Sequence, residues 1–397
     1  MAGNVASQIG AITSMNLRNV AERITSSVVA LVGIAGVVTV LIGVLSIAAG
    51  FRAVLDQSGQ ADVAIILRSG ATDEMGSSLA NAQTRIISDS PEAARDAEGT
   101  VASPELYVIV DVPLKRTATA ANVPLRGVGP QAPKLRRNFK IVEGRAFTPG
   151  TFEVMVGRGA SLQFAGLTVG NKLRWGTTDW TVVGIFEDRG SVSESEIWTD
   201  ASVLQGVYQR GSSYQSMRVR LTGAGAFQSF KDKLTTDPRL NVKAFTEKQY
   251  YEQQSQTLQT LVRTIGVTIA VLMGLGAIFA ALNTMYSAVS SRTREIATLR
   301  ALGFGSSPVV VSVLAEALLI GIVGGIIGML ISYFAFNGMR ASTMNFSTFS
   351  QITFAFTVTP EILVTGLVYA LVLAFVGGLL PSLRAARLPI TTGLREL

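Results

Sequence analysis

Four long apolar runs constrain this chain more than any other feature of its sequence. Each is longer than the roughly 20 residues that a helix needs to cross the ~30 Å hydrocarbon core of a bilayer, and longer than most buried core helices. The first run is also too long for the apolar region of a cleaved signal peptide. The sequence therefore predicts an integral membrane α-helical protein with four transmembrane helices, at residues 28–51, 264–289, 309–336 and 361–383.

Composition narrows the class of protein further. Only 15% of the 397 residues are charged, whereas a soluble protein usually has about 25%. The chain has no Cys and no His, which excludes disulfides, cysteine nucleophiles, Ser-His-Asp triads and nearly all zinc sites. The net charge of +7 fits basic flanks of membrane helices. No metal site and no nucleic-acid motif is predicted.

The short loops set the predicted orientation. Lys and Arg collect in the N-terminal segment, in residues 290–308 and in the C-terminal tail, whereas loop 337–360 contains only Arg340. Positive loops favour the cytoplasmic side. Both termini and residues 290–308 are therefore expected in the cytoplasm, and the long insert between the first two spans is expected outside.

The insert has the sequence of a folded domain. Short β-branched segments bounded by Gly, Asp, Asn or Pro predict strands, and two amphipathic segments predict helices. We expect an α+β extracytoplasmic domain at 52–245, in one or two subdomains, followed by a stalk helix at 246–263. The remaining predicted segments are an amphipathic cytoplasmic helix at 1–27, an external loop at 337–360 and a cytoplasmic tail at 384–397.

A short charged helix is predicted between the second and third spans, within residues 290–308. Helical spacing places one set of its residues on a common, largely apolar face: Arg292, Ile296, Leu299 and Gly303. The other charged residues and a threonine point elsewhere: Arg294, Glu295 and Thr298. Such a helix could contact a partner protein through its arginines or lie on anionic lipid, and its sequence pattern alone does not choose between them.

Polar and small residues inside the spans are the remaining candidates. Glu316 is costly in a membrane helix, so it either braces an arginine of the cytoplasmic segments or stays solvated near the interface. Asn283 could form a hydrogen bond between helices, within the chain or across a dimer. Four glycines at small-xxx-small spacing permit close helix packing, within one chain or at a dimer interface: Gly321, Gly324, Gly325 and Gly328.

Three segments together resemble one known family. "SRTREIATLRALGFGSSPVVVSVLAEALLIGIVGGIIG" and "LLPSLRAARLPITTGLRE" resemble the membrane segments of FtsX-like permeases of ABC transporters, the group that includes MacB-type exporters and the lipoprotein-releasing LolC and LolE. "VEGRAFTPGTFEVMVGRGASLQFAGLTVGNKLRWGTTDWTVVGIFED" resembles the MacB-like periplasmic core domain. The order of one span, a large outer domain and three further spans is also similar.

The resemblance implies a role for the charged helix. It would be a coupling helix that seats in a groove of an ATPase, with these contact residues: Arg292, Arg294, Glu295, Ile296, Leu299, Arg300 and Gly303. The sequence contains no Gly-Lys dipeptide, and therefore no Walker A loop. We accordingly expect a non-catalytic subunit that carries no cofactor, with ATP and Mg on a separate ATPase chain.

The resemblance also implies partners and a location. These are two ATPase copies, a second permease chain that is identical or paralogous, and the lipid membrane, with a membrane-fusion adaptor left open and no nucleic acid. The location is the inner membrane of a bacterial cell. The implied function is mechanotransmission for export or extraction of a substrate; the alternative is a non-transporting relay that regulates an external partner such as a cell-wall hydrolase.

The charge asymmetry of the loops generates a topology prediction. A tag inserted within 290–308 or placed after Leu397 should be labelled only from the cytoplasm, whereas a tag at 210–213 should be labelled only from outside. Accessibility is measured in intact cells with an impermeant reagent, and permeabilised cells are the control. Labelling of the 290–308 tag from outside would contradict the orientation.

Overall fold

The computed structural model describes residue 10, residues 24–344, residues 351–387 and residue 389. The helix predicted at 1–27 and most of the tail at 384–397 lie outside these residues. The chain divides into two compact units. The membrane unit comprises residues 1–49, 261–339 and 356–397, and the outer unit comprises residues 50–260 and 340–355.

The described residues form nine α-helices of at least six residues. They are α1 (Ile24–Ser58), α2 (Asn81–Ser88), α3 (Arg158–Gln163), α4 (Ala201–Val207), α5 (Phe227–Thr236), α6 (Glu247–Ser291), α7 (Thr293–Ala301), α8 (Ser306–Phe336) and α9 (Pro360–Arg387).

The strands of the described residues lie between α1 and α6, apart from one hairpin between α8 and α9. They are β1 (Val63–Arg68), β2 (Leu79–Ala80), β3 (Arg95–Asp96), β4 (Gly99–Thr100), β5 (Ala102–Pro113), β6 (Ala120–Val128), β7 (Lys140–Gly144), β8 (Glu153–Gly157), β9 (Lys172–Trp175), β10 (Thr178–Glu187), β11 (Ile197–Asp200), β12 (Ser213–Tyr214), β13 (Ser216–Arg220), β14 (Val242–Thr246), β15 (Arg340–Met344) and β16 (Gln351–Ala355).

Four of the described helices are long and apolar enough to cross a membrane, as predicted. The qualifying segments are Val28–Ser58, Thr260–Ser291, Ser306–Phe336 and Pro360–Arg387. Pro381 lies inside α9, which continues through it to Arg387. Proline costs this helix a backbone hydrogen bond, but Pro381, Ser382 and Ala385 are all buried, and this packing favours continued helix.

Glycines of α8 let two helices approach it closely. A Cβ on Gly321 would lie 2.5 Å from Ala374 Cβ of α9, and one on Gly328 would lie 2.8 Å from the Ala35 carbonyl oxygen of α1. Gly324 and Gly325 repeat the pattern, facing α1 and α9 respectively. The four glycines therefore form two seams within one chain, because their i, i+4 spacing serves two faces of α8 at once.

One ten-stranded sheet organises the outer unit. Its order is β14-β1-β13-β5-β6-β11-β8-β10-β7, with β9 paired to β10. Pairs β6/β11 and β8/β10 are parallel, and the remaining pairs of this sheet are antiparallel. This α+β architecture agrees with the sequence-based expectation for the insert.

The long strand β5 joins two core clusters on this sheet. Alternate residues of 106–112 enter a cluster with Trp180, Phe164 and Leu204, as the period of two along a strand requires. Ala102, at the start of the same strand, belongs to a second cluster with Phe230 of α5. The outer unit thus has two cores on one continuous sheet.

The external loop predicted at 337–360 contains a β-hairpin. β15 pairs with β16 in antiparallel register from Arg340↔Ala355 to Met344↔Gln351. Within the outer unit, Thr353 N–H donates to Ser195 Oγ at 2.9 Å, and Thr353 Oγ1 donates to Gln163 Oε1 at 2.7 Å. The hairpin was not predicted from the sequence; hydrogen bonds to side chains distant along the chain stabilise it.

The α8/α9 seam generates a stability prediction. Gly321→Ala should destabilise the membrane unit by about 1–3 kcal/mol, because the new methyl group overlaps Ala374. Gly36→Ala in α1 is the matched control, since a Cβ added to Gly36 would have no other atom within 4 Å; it should be neutral or slightly stabilising. Thermal loss of helicity in detergent, followed by circular dichroism, measures both. Equal melting temperatures for the two variants would contradict the close seam.

Candidate functional site: the short helix between the second and third spans

The short helix α7 is amphipathic, and its apolar side is buried in the membrane unit. Ile296 is 6% exposed and Ala297 is 2% exposed. Ile296 belongs to a core cluster with Met285 and Val289 of α6 and with Val309 and Val313 of α8. Burial of these side chains fixes α7 between the helices that precede and follow it.

A glycine motif ends this helix. Gly303 N–H donates to the Arg300 carbonyl at 3.1 Å, and Phe304 N–H donates to the Leu299 carbonyl at 3.2 Å. This pair of bonds is the Schellman motif, in which the residue after the C-cap adopts a left-handed conformation that suits glycine. Gly303 has φ +94°, so its role is to terminate α7 sharply before α8 begins.

A bidentate ion pair joins the start of this segment to α8. Arg292 Nη1 donates to Glu316 Oε2 at 2.8 Å, and Nη2 donates to Oε1 at 3.1 Å. The two residues are only 4% and 3% exposed. A parallel arrangement of this kind fixes both side chains and satisfies both charges. The brace that the sequence offered as one explanation of Glu316 is therefore present in the structure.

Two residues placed on the helix by sequence spacing lie outside it. Arg292 is the N-cap residue of α7 and is buried. Gly303 follows the C-cap Leu302. The expected common face is present for Arg292, Ile296 and Leu299, which line the same cleft, but Gly303 lies beyond the end of α7, which spans only Thr293–Ala301.

The exposed side of α7 carries the other predicted contact residues. Arg294 and Glu295 are exposed, while Leu299 and Arg300 are partly buried. Sequence reasoning missed Leu302, whose side chain is 72% exposed at the end of the helix.

A cleft lies beside the ion pair, between α6, α7 and α8. Its volume is about 20 Å³, which is room for about one water molecule. Its walls are mostly apolar, with charged groups only from the ion pair and α7: Met285, Ala288, Val289, Arg292, Glu295, Ile296, Leu299, Val309, Val313 and Glu316. The site therefore combines an anchored helix, an exposed polar ridge and an apolar recess.

Asn283 lies apart from this site. It is on α6, two turns before the helix ends, and it is exposed in the single chain. The glycines of α8 are buried in the helix seams described above. The structure thus brings together Arg292, Glu316 and α7, and it separates them from Asn283.

Comparison with known proteins gives the family context of this geometry. The family of the FtsX-like permease C-terminal region matches residues 267–390, and that of the MacB-like periplasmic core domain matches residues 27–237. The chain is similar to the macrolide export ATP-binding/permease protein MacB of Hahella chejuensis, with 30% identity over 243 residues, covering 57% of this chain and 35% of the relative.

Two further similarities extend over more of this chain or over more of the similar protein. The MacB of Bordetella avium is 25% identical over 391 residues, covering 92% of this chain and 56% of the relative. The crystal structure of the periplasmic region of MacB from Actinobacillus actinomycetemcomitans covers 51% of this chain and 96% of that chain, with 14% identity and a TM-score of 0.38. The chain spans about a third to about a half of the length of these curated relatives.

The buried ion pair generates a double-mutant prediction. Glu316→Gln should destabilise the membrane unit by about 3–5 kcal/mol, because it leaves a buried guanidinium without a counter-ion. The double variant Arg292→Met with Glu316→Leu should lose less stability than Arg292→Met alone or Glu316→Leu alone, since an apolar pair needs no solvation. Thermal circular dichroism in detergent measures the series, and Arg294→Gln on the exposed side is the control. Additive effects of the two changes would contradict the pairing.

Proposed function

Because this chain belongs to the family of MacB-like permeases of ABC transporters, with an FtsX-like C-terminal region, we propose that it couples ATP hydrolysis by a separate ATPase subunit to movement of its outer domain. The ATPase binds ATP and Mg, and this chain contributes the mechanical element. The cargo is exported or extracted from the periplasm or the outer leaflet.

The observation that carries this proposal is the construction of α7. Its apolar residues Ile296 and Ala297 are buried, and Arg292 holds its start to Glu316 of α8. Arg294, Glu295 and Leu302 remain on the exposed side. A helix that only collected positive charge at a lipid surface would not need a buried ion pair, whereas a helix that receives force needs a fixed attachment.

The element that transmits the motion is α6. It is one helix of 45 residues, Glu247–Ser291, and Arg292 follows it directly in the chain. Its first residues belong to the outer unit and its last residues to the membrane unit. Displacement of α7 can therefore be passed along a continuous helix, which resists bending far better than a loop.

The proposed assembly contains two permease chains and two ATPase subunits in the inner membrane of a bacterial cell, with both permease termini in the cytoplasm. The second permease chain is identical or paralogous. The exposed Asn283 on α6 favours a partner helix there, because an amide in lipid gains from a hydrogen bond. A membrane-fusion adaptor outside is compatible with an export function.

A regulatory relay is the second candidate function. The same motion of α6 would then act on an external partner such as a cell-wall hydrolase. The small number of spans, four in the described residues, favours a relay because it leaves little room for a large central cavity. Co-purification in mild detergent discriminates between the two: an adaptor or outer-membrane channel indicates export, and a hydrolase indicates regulation.

Charge reversal within α7 tests the coupling role. The double change Arg294→Glu with Glu295→Arg keeps the net charge but inverts the pattern that a partner groove reads. We expect a folded, inserted protein that retains at most about a tenth of the ABC ATPase that co-purifies with the wild-type chain, equivalent to about 1.4 kcal/mol or more of binding.

A matched control exists on the extracytoplasmic end of α1. Arg52 and Asp56 form an exposed i, i+4 pair at 3.5 Å, and Arg52→Asp with Asp56→Arg inverts it without touching α7. This variant should retain the ATPase. Normal ATPase binding and activity in the α7 swap would assign the loop charge to membrane orientation alone, and absence of any ABC ATPase from the wild-type preparation would contradict the proposed function itself.

A further inference from the structure

The outer domain buries a network of seven ionisable residues in which acidic residues outnumber basic residues. Each member is at most 6% exposed, and the chain contains no His that could adjust the balance. Three members are arginines and four are glutamates: Arg126, Arg136, Arg218, Glu74, Glu105, Glu196 and Glu247. If every member were ionised, the network would hold one carboxylate too many.

Three of the four glutamates have strong partners. Arg126 binds both oxygens of Glu74, at 2.7 and 2.9 Å, and both oxygens of Glu196, at 2.7 and 2.9 Å. Glu105 accepts from Arg126 at 2.9 Å and also from Arg218. Their arginine partners lower the pKa values of Glu74 and Glu105 despite burial, because charge-assisted bonds favour the ionised carboxylate.

Glu247, the first residue of α6, is bound much more weakly. Its Oε1 lies 3.5 Å from Arg218 Nε, and its Oε2 accepts from the Gln60 backbone N–H at 3.3 Å. The side chain is 1% exposed, so water does not compensate. A carboxylate in this position would lose its hydration without gaining a close counter-ion.

The other groups around Glu247 do not supply the positive charge that would balance an ionised Glu247 carboxylate. Arg136 already faces Glu105, with 3.6 Å between its Nη2 and Glu105 Oε1. Asp188 also interacts with Arg136, which adds to the negative excess. On α6 itself, Tyr251 is a neutral neighbour whose hydroxyl meets Arg218 at 3.5 Å.

Two further cations lie near the rim of the network. Lys248 is 58% exposed in its side chain and pairs with Glu252 at 3.9 Å. Arg220 Nη2 reaches Gln60 Oε1 at 3.4 Å, and its Nη1 lies 4.0 Å from Asp62. Each therefore has an acidic partner outside the network, which Arg220 shares with Arg137.

We propose that Glu247 is a buried proton-binding site, and that neutralisation of its carboxyl by the proton lets the first turn of α6 stay buried against the sheet of the outer domain. The helix N-terminus favours an ionised carboxyl, but complete burial opposes it more strongly. When the proton leaves, the buried carboxylate is stabilised only if the first turn of α6 opens to water. This site concerns the outer domain alone and goes beyond the proposed coupling function.

The direction of the pKa shift agrees with this geometry. Burial raises the pKa of Glu247 from its ordinary value of 4.5 to about 7, against the opposing effect of Arg136 and Arg218. The unfolded chain releases this proton near pH 4.5, whereas the folded domain keeps it up to about pH 7. Between these values the folded state binds more protons, so stability falls as the pH rises and is level above about pH 7.

Other carboxyls with shifted pKa values change the stability in a different pH range, or their contribution can be removed by substitution. Arg126 and Arg218 hold the pKa of Glu74 well below its ordinary value despite burial, so its contribution changes only below about pH 4.5 and with the opposite sign. Burial raises the pKa of Asp188 above 3.8, which gives a slope of the same sign as that of Glu247. An Asp188→Asn variant removes that second contribution.

Equilibrium unfolding of the full chain in detergent tests the site. Residues Trp175, Trp180 and Trp198 are the three tryptophans of the sequence, so their fluorescence reports the outer domain specifically. Between about pH 5 and 7.5 the unfolding constant of the wild type should rise on the order of a hundredfold. Glu247→Gln should abolish most of this rise, and Glu252→Gln, one turn along on an exposed position, should preserve it.

Infrared spectroscopy gives a second readout that does not depend on how a variant folds. At pH 6 the wild type in D₂O should show the carbonyl stretch of a protonated carboxylic acid, and this band should disappear by about pH 8. It should be absent from Glu247→Gln. A wild type without the band, or a Glu247→Gln protein that keeps both the band and the pH dependence, would overturn the proposal.

Replacing sodium ions by choline distinguishes a bound proton from a bound metal cation. The pH titration is repeated with sodium chloride and with choline chloride at equal ionic strength, and the proton site predicts the same curve in both. A sodium-dependent stability that replaces the pH dependence would assign the balancing charge to a metal ion and overturn the proton. These measurements involve no ATPase, so their outcome is independent of the coupling experiments.

Discussion

A buried charge must meet an opposite charge, and this constraint organises both units of the protein. The cost of removing an ion from water is several kcal/mol even after relaxation, and a partner repays it only at close range. In the membrane unit, Arg292 and Glu316 meet as a bidentate pair. In the outer unit, Arg126 binds Glu74 and Glu196 with four bonds of 2.7–2.9 Å. Each pairing fixes elements that are distant in sequence.

Both ends of α7 are fixed in position. The ion pair holds the residue before its first turn, and the Schellman motif at Gly303 turns the chain immediately after its last turn. Ile296 and Ala297 supply the buried contact between these points. An exposed ridge mounted in this way changes position together with α6 and α8, which is the physical basis of the coupling that we propose.

The consequence for α6 is that its two ends depend on different chemistry. Its last turns are embedded in an apolar cluster with Met285 and Val289. Its first residue, Glu247, enters the ionic network of the outer domain with contacts of 3.5 and 3.3 Å, longer than the 2.7–2.9 Å bonds of Glu74 and Glu196 to Arg126. A helix proposed to transmit displacement is thus attached by packing at one end, and at the other by a group whose charge depends on pH.

Local sequence patterns were sufficient to predict the four spans, the α+β class of the insert and the position of the charged helix. These properties depend on local composition and periodicity, so a window of about 20 residues contains the necessary information. The same reasoning identified Glu316 as anomalous, since an acidic residue in an apolar run is visible without any structure. It failed for Gly303, where the geometry of the helix end outweighed helical spacing.

Only the tertiary structure decided which charges meet. Arg292 is 24 positions from Glu316, and Arg126 is 52 and 70 positions from Glu74 and Glu196. No local pattern encodes such distances, because they follow from sheet order and helix packing. The hairpin of β15 and β16 and the weak pairing of Glu247 could not be predicted for the same reason: the partners of a polar residue are known only when the residues folded around it are known.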